Sequence, residues 1–127
     1  MSASVLIIED NLDNMKLGLR ILNAEGYQCE GVTSAEEGLA RLEEAPFDIV
    51  LMDISLPGMD GTEATRRLRE NPKFRTLPII AVTAHAIATE RAAILASGVT
   101  TFVAKPIDVD DFVELVRSVV PPEACPS

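Results

Sequence analysis

The sequence predicts a doubly wound α/β fold, a five-stranded parallel sheet with five helices distributed over both faces. Three observations carry that prediction. Short apolar runs alternate from end to end with segments whose apolar residues stand three and four apart, five of each, and strands joined through helices lie parallel with helices on both sides. The runs Val5-Leu6-Ile7-Ile8, Asp48-Ile49-Val50-Leu51-Met52 and Pro78-Ile79-Ile80-Ala81-Val82 are almost continuously apolar, as strands buried on both faces are. Polar groups cluster just after the strands, where open α/β sheets bind their ligands.

Each element has its own signals. After the first strand, Val5 to Ile8, comes a helix over Asn14 to Glu25, stopped by Gly26. Asn14, Leu17, Gly18, Ile21 and Leu22 share one helical face and are expected to meet the sheet, while Leu12, Met15 and Leu19 fall on another. A helix packed on a sheet does not need that second stripe, so it is read as a docking surface for a partner. The second strand, Tyr27 to Val32, mixes polar and apolar residues and reads as a sheet edge. Ser34 and Glu37 form a capping-box pattern for the second helix, Ala35 to Leu42. Pro57-Gly58 turns the chain after the third strand, Asp48 to Met52, and the third helix, Ala64 to Leu68, closes at Asn71-Pro72. The fourth strand, Pro78 to Val82, precedes a helix over Ala88 to Leu95 that Gly98 ends. The fifth strand, Thr101 to Ala104, precedes a helix over Phe112 to Val119, for which Asp108 is the candidate cap. Residues 1–120 read as one domain and residues 121–127 as a short proline-rich tail.

Composition excludes several classes. A length of 127 residues accommodates one domain. A formal charge of −9 argues against nucleic acid or an anionic membrane as partner, because both present phosphates. No run is long enough to cross a bilayer, and the N-terminal residues lack the pattern of a signal peptide. Cys29 and Cys125 fit neither a disulfide framework nor a metal motif. A cytoplasmic location is the expectation.

The chemistry follows from what tips each interior strand: Glu9-Asp10 after the first, Asp53 after the third, Thr83 after the fourth and Lys105-Pro106 after the fifth. A strand-terminal carboxylate by itself is usually a cap or a solvated turn. Here four strands deliver three carboxylates, a hydroxyl and an ammonium to one sheet edge. Crowded carboxylates repel one another and favour a small hard cation. Mg²⁺ takes few protein carboxylates and accepts phosphate oxygens, which fits Asp10 and Asp53 as ligands and Glu9 through a bound water. A carboxylate nucleophile offered a phosphoryl donor gives an aspartyl phosphate, with Lys105 flanking the transferred group and Thr83 able to hydrogen-bond one of its oxygens.

This constellation resembles the receiver domains of response regulators in two-component signalling. The matching stretches are Ile8-Glu9-Asp10-Asn11, Leu51-Met52-Asp53 through Pro57-Gly58-Met59-Asp60-Gly61, Ala81-Val82-Thr83-Ala84 and Phe102-Val103-Ala104-Lys105-Pro106. They span about residues 4–120, and the closest look is to stand-alone regulators of the DivK type and to receivers of hybrid kinases. The resemblance implies a CheY-like, flavodoxin-like strand order of 2-1-3-4-5. It implies Asp53 as phosphoacceptor, with Mg²⁺ (or Mn²⁺) held by Asp10, Asp53, the Ser55 backbone carbonyl and, through water, Glu9. It further implies Lys105 as phosphate ligand, Thr83 and Phe102 as a switch pair, and a cis Lys105-Pro106 bond. Glu9 stands where the family often has Asp, and Ser55 and His85 occupy positions that tune acyl-phosphate lifetime. The implied partners are a histidine kinase or histidine phosphotransferase, whose histidine-bearing helix docks on Leu12, Met15 and Leu19, and a downstream protein meeting the face of the fourth helix, fifth strand and fifth helix. The implied assembly is a monomer or a dimer promoted by phosphorylation.

Other readings explain less. Phosphatases of the haloacid-dehalogenase kind also form an aspartyl phosphate but place a second carboxylate two residues after the nucleophile, where this chain has Ser55. A degenerate receiver used only for dimerisation does not need the full polar set. A flavin-binding protein needs a phosphate-cradling loop after the first strand, which this sequence lacks. Phe102 as plain core, Thr83 as a strand-end hydroxyl, and Met52 and Met59 as packing residues are the blander readings.

Overall fold

In the computed structural model, which describes residues 3–56, 58–84, 88–105 and 107–120, the alternation of runs resolves into β1 (Ser4–Ile8), α1 (Leu12–Ala24), β2 (Gln28–Val32), α2 (Ala35–Glu44), β3 (Ile49–Asp53), α3 (Gly61–Glu70), β4 (Ile79–Thr83), α4 (Ala88–Ala96), β5 (Thr101–Ala104) and α5 (Val109–Val119). The strands form one sheet in the order β2-β1-β3-β4-β5, parallel throughout. The expected fold class and the edge position of the second strand are both borne out. Every residue of β3 and β4 is buried, as continuous apolar runs in a central parallel sheet require.

Side chains alternate across the sheet and feed two cores. Leu6, Ile8, Val50, Met52, Ile79 and Ala81 join α2, α3 and α4 residues on one face. Val5, Ile7, Ile49, Leu51 and Ile80 join Leu22 of α1 with Phe112 and Val116 of α5 on the other. Capping starts four of the helices, at Ser34 and Asp108 as the sequence suggests and also at Asn11 and Asp60. Asn11, Ser34, Asp60 and Asp108 each accept a hydrogen bond from the backbone N–H three residues on. Asn71 closes α3 and also caps a 3-10 turn, Pro72–Phe74, that the sequence reading did not separate from the loop.

One expectation needs correction. Met15, assigned to an outward stripe, is buried at 7% exposure, and Leu19 packs against the same core. Of the predicted docking stripe, Leu12 alone is exposed, at 58%, whereas Leu17, expected to meet the sheet, is 48% exposed. The cause is Gly31 of the edge strand. A Cβ there would lie 2.4 Å from the Met15 sulfur, so the glycine leaves a hollow that the flexible methionine fills. The inward face of α1 is thereby turned toward β2, through Met15, Leu19 and Leu22.

Candidate active site at the carboxyl edge of the sheet

β1, β3, β4 and β5 end side by side, and their registers bring Ile8 beside Met52, Asp53 beside Val82 and Thr83 beside Ala104. The residues that follow therefore emerge at one edge. Glu9, Asp10 and Asp53 each offer a carboxylate oxygen within 4.8 Å of the others. Lys105 reaches the same point from β5, its Nζ 3.4 Å from Asp53 and 3.5 Å from Glu9. Its backbone N–H donates to the Thr83 carbonyl at 2.7 Å, which fixes where the side chain departs.

Burial makes this cluster expensive without a cation. Asp53 is 4% and Glu9 6% exposed, and Asp10 is exposed at the rim. Burial, reinforced by the neighbouring Asp53 carboxylate, pushes the Glu9 carboxyl up to about 7. Burial works against the Asp53 charge as well, but hydrogen bonds from Glu9 and the Ser55 N–H, with the Lys105 ammonium, outweigh it and hold Asp53 below the usual carboxylate range. The Ser55 N–H donates to Asp53 Oδ1 at 2.9 Å. Distances of 3.4–3.5 Å from Lys105 are long for charge-assisted hydrogen bonds, which run nearer ~2.8 Å. Three carboxyl groups facing one loosely held ammonium form a donor set suited to a hard divalent ion.

Thr83 is fully buried. Phe102 sits one strand over, opposite Ala81, and packs partly buried against the α2–α3–α4 core. Alternation along β4 puts Thr83 on the same sheet face as Ala81, so Thr83 and Phe102 share a side. Beside the carboxylates a cavity of about 560 Å³ runs between α1 and α5, lined by Ile7, Leu17, Ile21, Leu51, Val82 and Phe112 among others. Pro106, and with it the expected cis bond, lies outside the described residues, as do His85 and residues 121–127.

Sequence reasoning missed two contributors. The Ser55 N–H holds the Asp53 carboxylate, a contact signalled by the Asp-x-Ser spacing of an Asx turn. Gly61, at the start of α3, lets that helix approach closely, since a Cβ there would stand 2.5 Å from the Asp53 carbonyl oxygen.

A parallel sheet in this order, with an acidic cluster and a lysine converging at its carboxyl edge, defines a phosphorylation-controlled signalling domain, and the chain belongs to the response regulator receiver domain family, which residues 5–117 match. Such domains act as phospho-signalling switches in two-component systems rather than as enzymes turning over a free substrate. Among relatives, the polar-differentiation response regulator DivK of Brucella ovis is 39% identical over 118 residues, covering 93% of this chain and 96% of that protein. The receiver domain of a sensor histidine kinase from Pseudomonas aeruginosa, solved with a magnesium ion coordinated in its active-site cleft, is 30% identical with a TM-score of 0.85 over 93% of this chain and 97% of that one. A CheY-like receiver domain protein from Methanospirillum hungatei has the same identity, 30%, and TM-score, 0.85, over 93% of each chain.

Proposed function

We propose that this chain is a single-domain regulator, with residues 1–120 the receiver, that accepts a phosphoryl group from a phosphohistidine onto Asp53 and thereby changes which proteins it binds. The observation that carries the reading is the convergence of Glu9, Asp10, Asp53 and Lys105 from three strands onto one point. Asp10 and Asp53, the Ser55 carbonyl and, through water, Glu9 are the groups that would hold Mg²⁺ or Mn²⁺. The bound ion supplies charge neutralisation for the transferring phosphoryl group. The residues do the rest. An Asp53 carboxylate oxygen attacks phosphorus as the bond to the donor nitrogen breaks. The Ser55 N–H orients that carboxylate, and the Lys105 ammonium offsets the charge that Asp53 and the incoming group bring together. The same residues assist the later attack of water that returns Asp53 to its free form.

Thr83 and Phe102, on one sheet face, are the pair through which phosphorylation reshapes the face of α4, β5 and α5. The donor is a histidine kinase or histidine phosphotransferase, and Leu12 with Leu17, exposed at 58% and 48% beside the site, offers apolar area for its helix. A downstream protein reads the switched face, as a monomer or a phosphorylation-promoted dimer, in the cytoplasm. The acidic charge of −9, and the absence among the described residues of any helix long and apolar enough to cross a membrane, agree with a protein partner.

The test is incubation with acetyl phosphate and Mg²⁺, followed by intact-mass measurement. One labile phosphoryl group is expected on the wild-type chain, and none in EDTA or in Asp53→Asn. Equal modification of Asp53→Asn would overturn the assignment.

A further inference from the structure

The Phe102 ring on β5 is not held by the core alone. The guanidinium carbon of Arg91, an exposed residue of α4, stands 5.6 Å from the centre of that ring, within the range of a cation–π contact. The two other such contacts among the described residues are of a different kind. Lys73 covers the ring of Phe74, its neighbour in sequence, and bridges nothing. Arg41 covers Phe47 near the start of β3, at the end of the sheet away from Asp53. Arg91 and Phe102 join α4 to β5, two of the three elements of the face that a switch at Thr83 and Phe102 would reshape.

We propose that Arg91 is a positioning residue for the switch. Its guanidinium clamps the Phe102 ring in the position seen here, and the stack must break before the ring can turn in toward Thr83. This inference rests on the reading of Thr83 and Phe102 as the switch pair. A cation over an aromatic face at an exposed site is a weak contact, so it biases an equilibrium rather than locking it. Its loss shifts the balance toward the turned-in form by about two- to five-fold. By reciprocity, whatever favours the turned-in form gains apparent affinity by the same factor.

The experiment titrates beryllofluoride with Mg²⁺ into the wild-type chain, Arg91→Gln, Arg91→Lys, Phe102→Leu and the Arg91→Gln/Phe102→Leu double variant. The Phe102 ring is followed by NMR with ring-labelled phenylalanine, of which the chain has 4 residues. Arg91→Gln should bind beryllofluoride about two- to five-fold more tightly, with more turned-in ring before addition, while Arg91→Lys stays near wild type. In the Phe102→Leu background, Arg91→Gln should have no further effect. Unchanged affinity in Arg91→Gln overturns the proposal, as does equal tightening with Leu at 102, which would assign the effect to charge alone. A wild-type ring that does not move while beryllofluoride binds overturns the switch reading itself, and the clamp with it. Binding that leaves the ring mobile but indifferent to residue 91 removes only the clamp.

Discussion

Lys105 stands between Glu9 and Asp53 as the ammonium that partly offsets two buried carboxylates. Replacing it with Met removes both the offset and the group that would meet the phosphoryl oxygens. Lys105→Met should lower phosphorylation by acetyl phosphate roughly 10²-fold. The Glu9 carboxyl should then rise further, because the Lys105 charge is among the influences that lower it; a carboxyl-labelled NMR titration reads this directly. At this scale the sequence was informative, since Glu9, Asp10, Asp53 and Lys105 announce themselves by standing just past strands. The Ser55 N–H is not legible in the same way, because a backbone donor carries no residue type, only a two-residue spacing from Asp53.

At the scale of elements, two glycines set how closely helices approach the sheet, and they should respond differently to substitution. Gly61→Ala places a Cβ 2.5 Å from the Asp53 carbonyl oxygen and 2.9 Å from the Ile54 Cα. Backbone cannot yield there, so α3 must withdraw from the end of β3, at a cost of about 1–3 kcal/mol. Stability to urea and phosphorylation of Asp53 should both fall. Gly31→Ala instead meets the Met15 thioether, which can rotate aside, and should cost about 1 kcal/mol or less with phosphorylation unaffected. The same contact explains why periodicity alone misplaces the inner face of α1. Periodicity located the helix, but Leu12 to Leu22 is apolar over so much of its circumference that spacing alone does not choose the inner face. Gly31, nineteen residues after the first residue of the helix, Leu12, makes the choice. Strand order was likewise beyond periodicity and came only with the family resemblance.

At the scale of the whole molecule, the buried acidic cluster links folding to pH and to metal. Glu9 has a folded-state pKa of about 7 against an ordinary value of 4.5. Between those limits the unfolded chain gives up its proton first, so the folded state loses stability as pH rises through that window. Asp53, held low, contributes the opposite way: its stabilisation is present above the ordinary carboxylate value and fades as pH falls below it. In EDTA the melting temperature should therefore be lower at pH 7.5 than at pH 5.5. A divalent ion binds the deprotonated site, so Mg²⁺ should raise the melting temperature more at the higher pH. Equal metal shifts at both values would place the ion elsewhere.

The chain has 1 tyrosine and no tryptophan, and that tyrosine is spent on a long-range tie. Tyr27, 3% exposed where β2 begins, donates its hydroxyl to the carbonyl of Val120, just past α5, at 2.5 Å, and burial raises its pKa. A built-in optical reporter results. Tyrosine fluorescence and the ultraviolet change on phenol ionisation come from this one residue, and both report whether the last helix is seated, so loosening of α5 can be followed without attaching any dye.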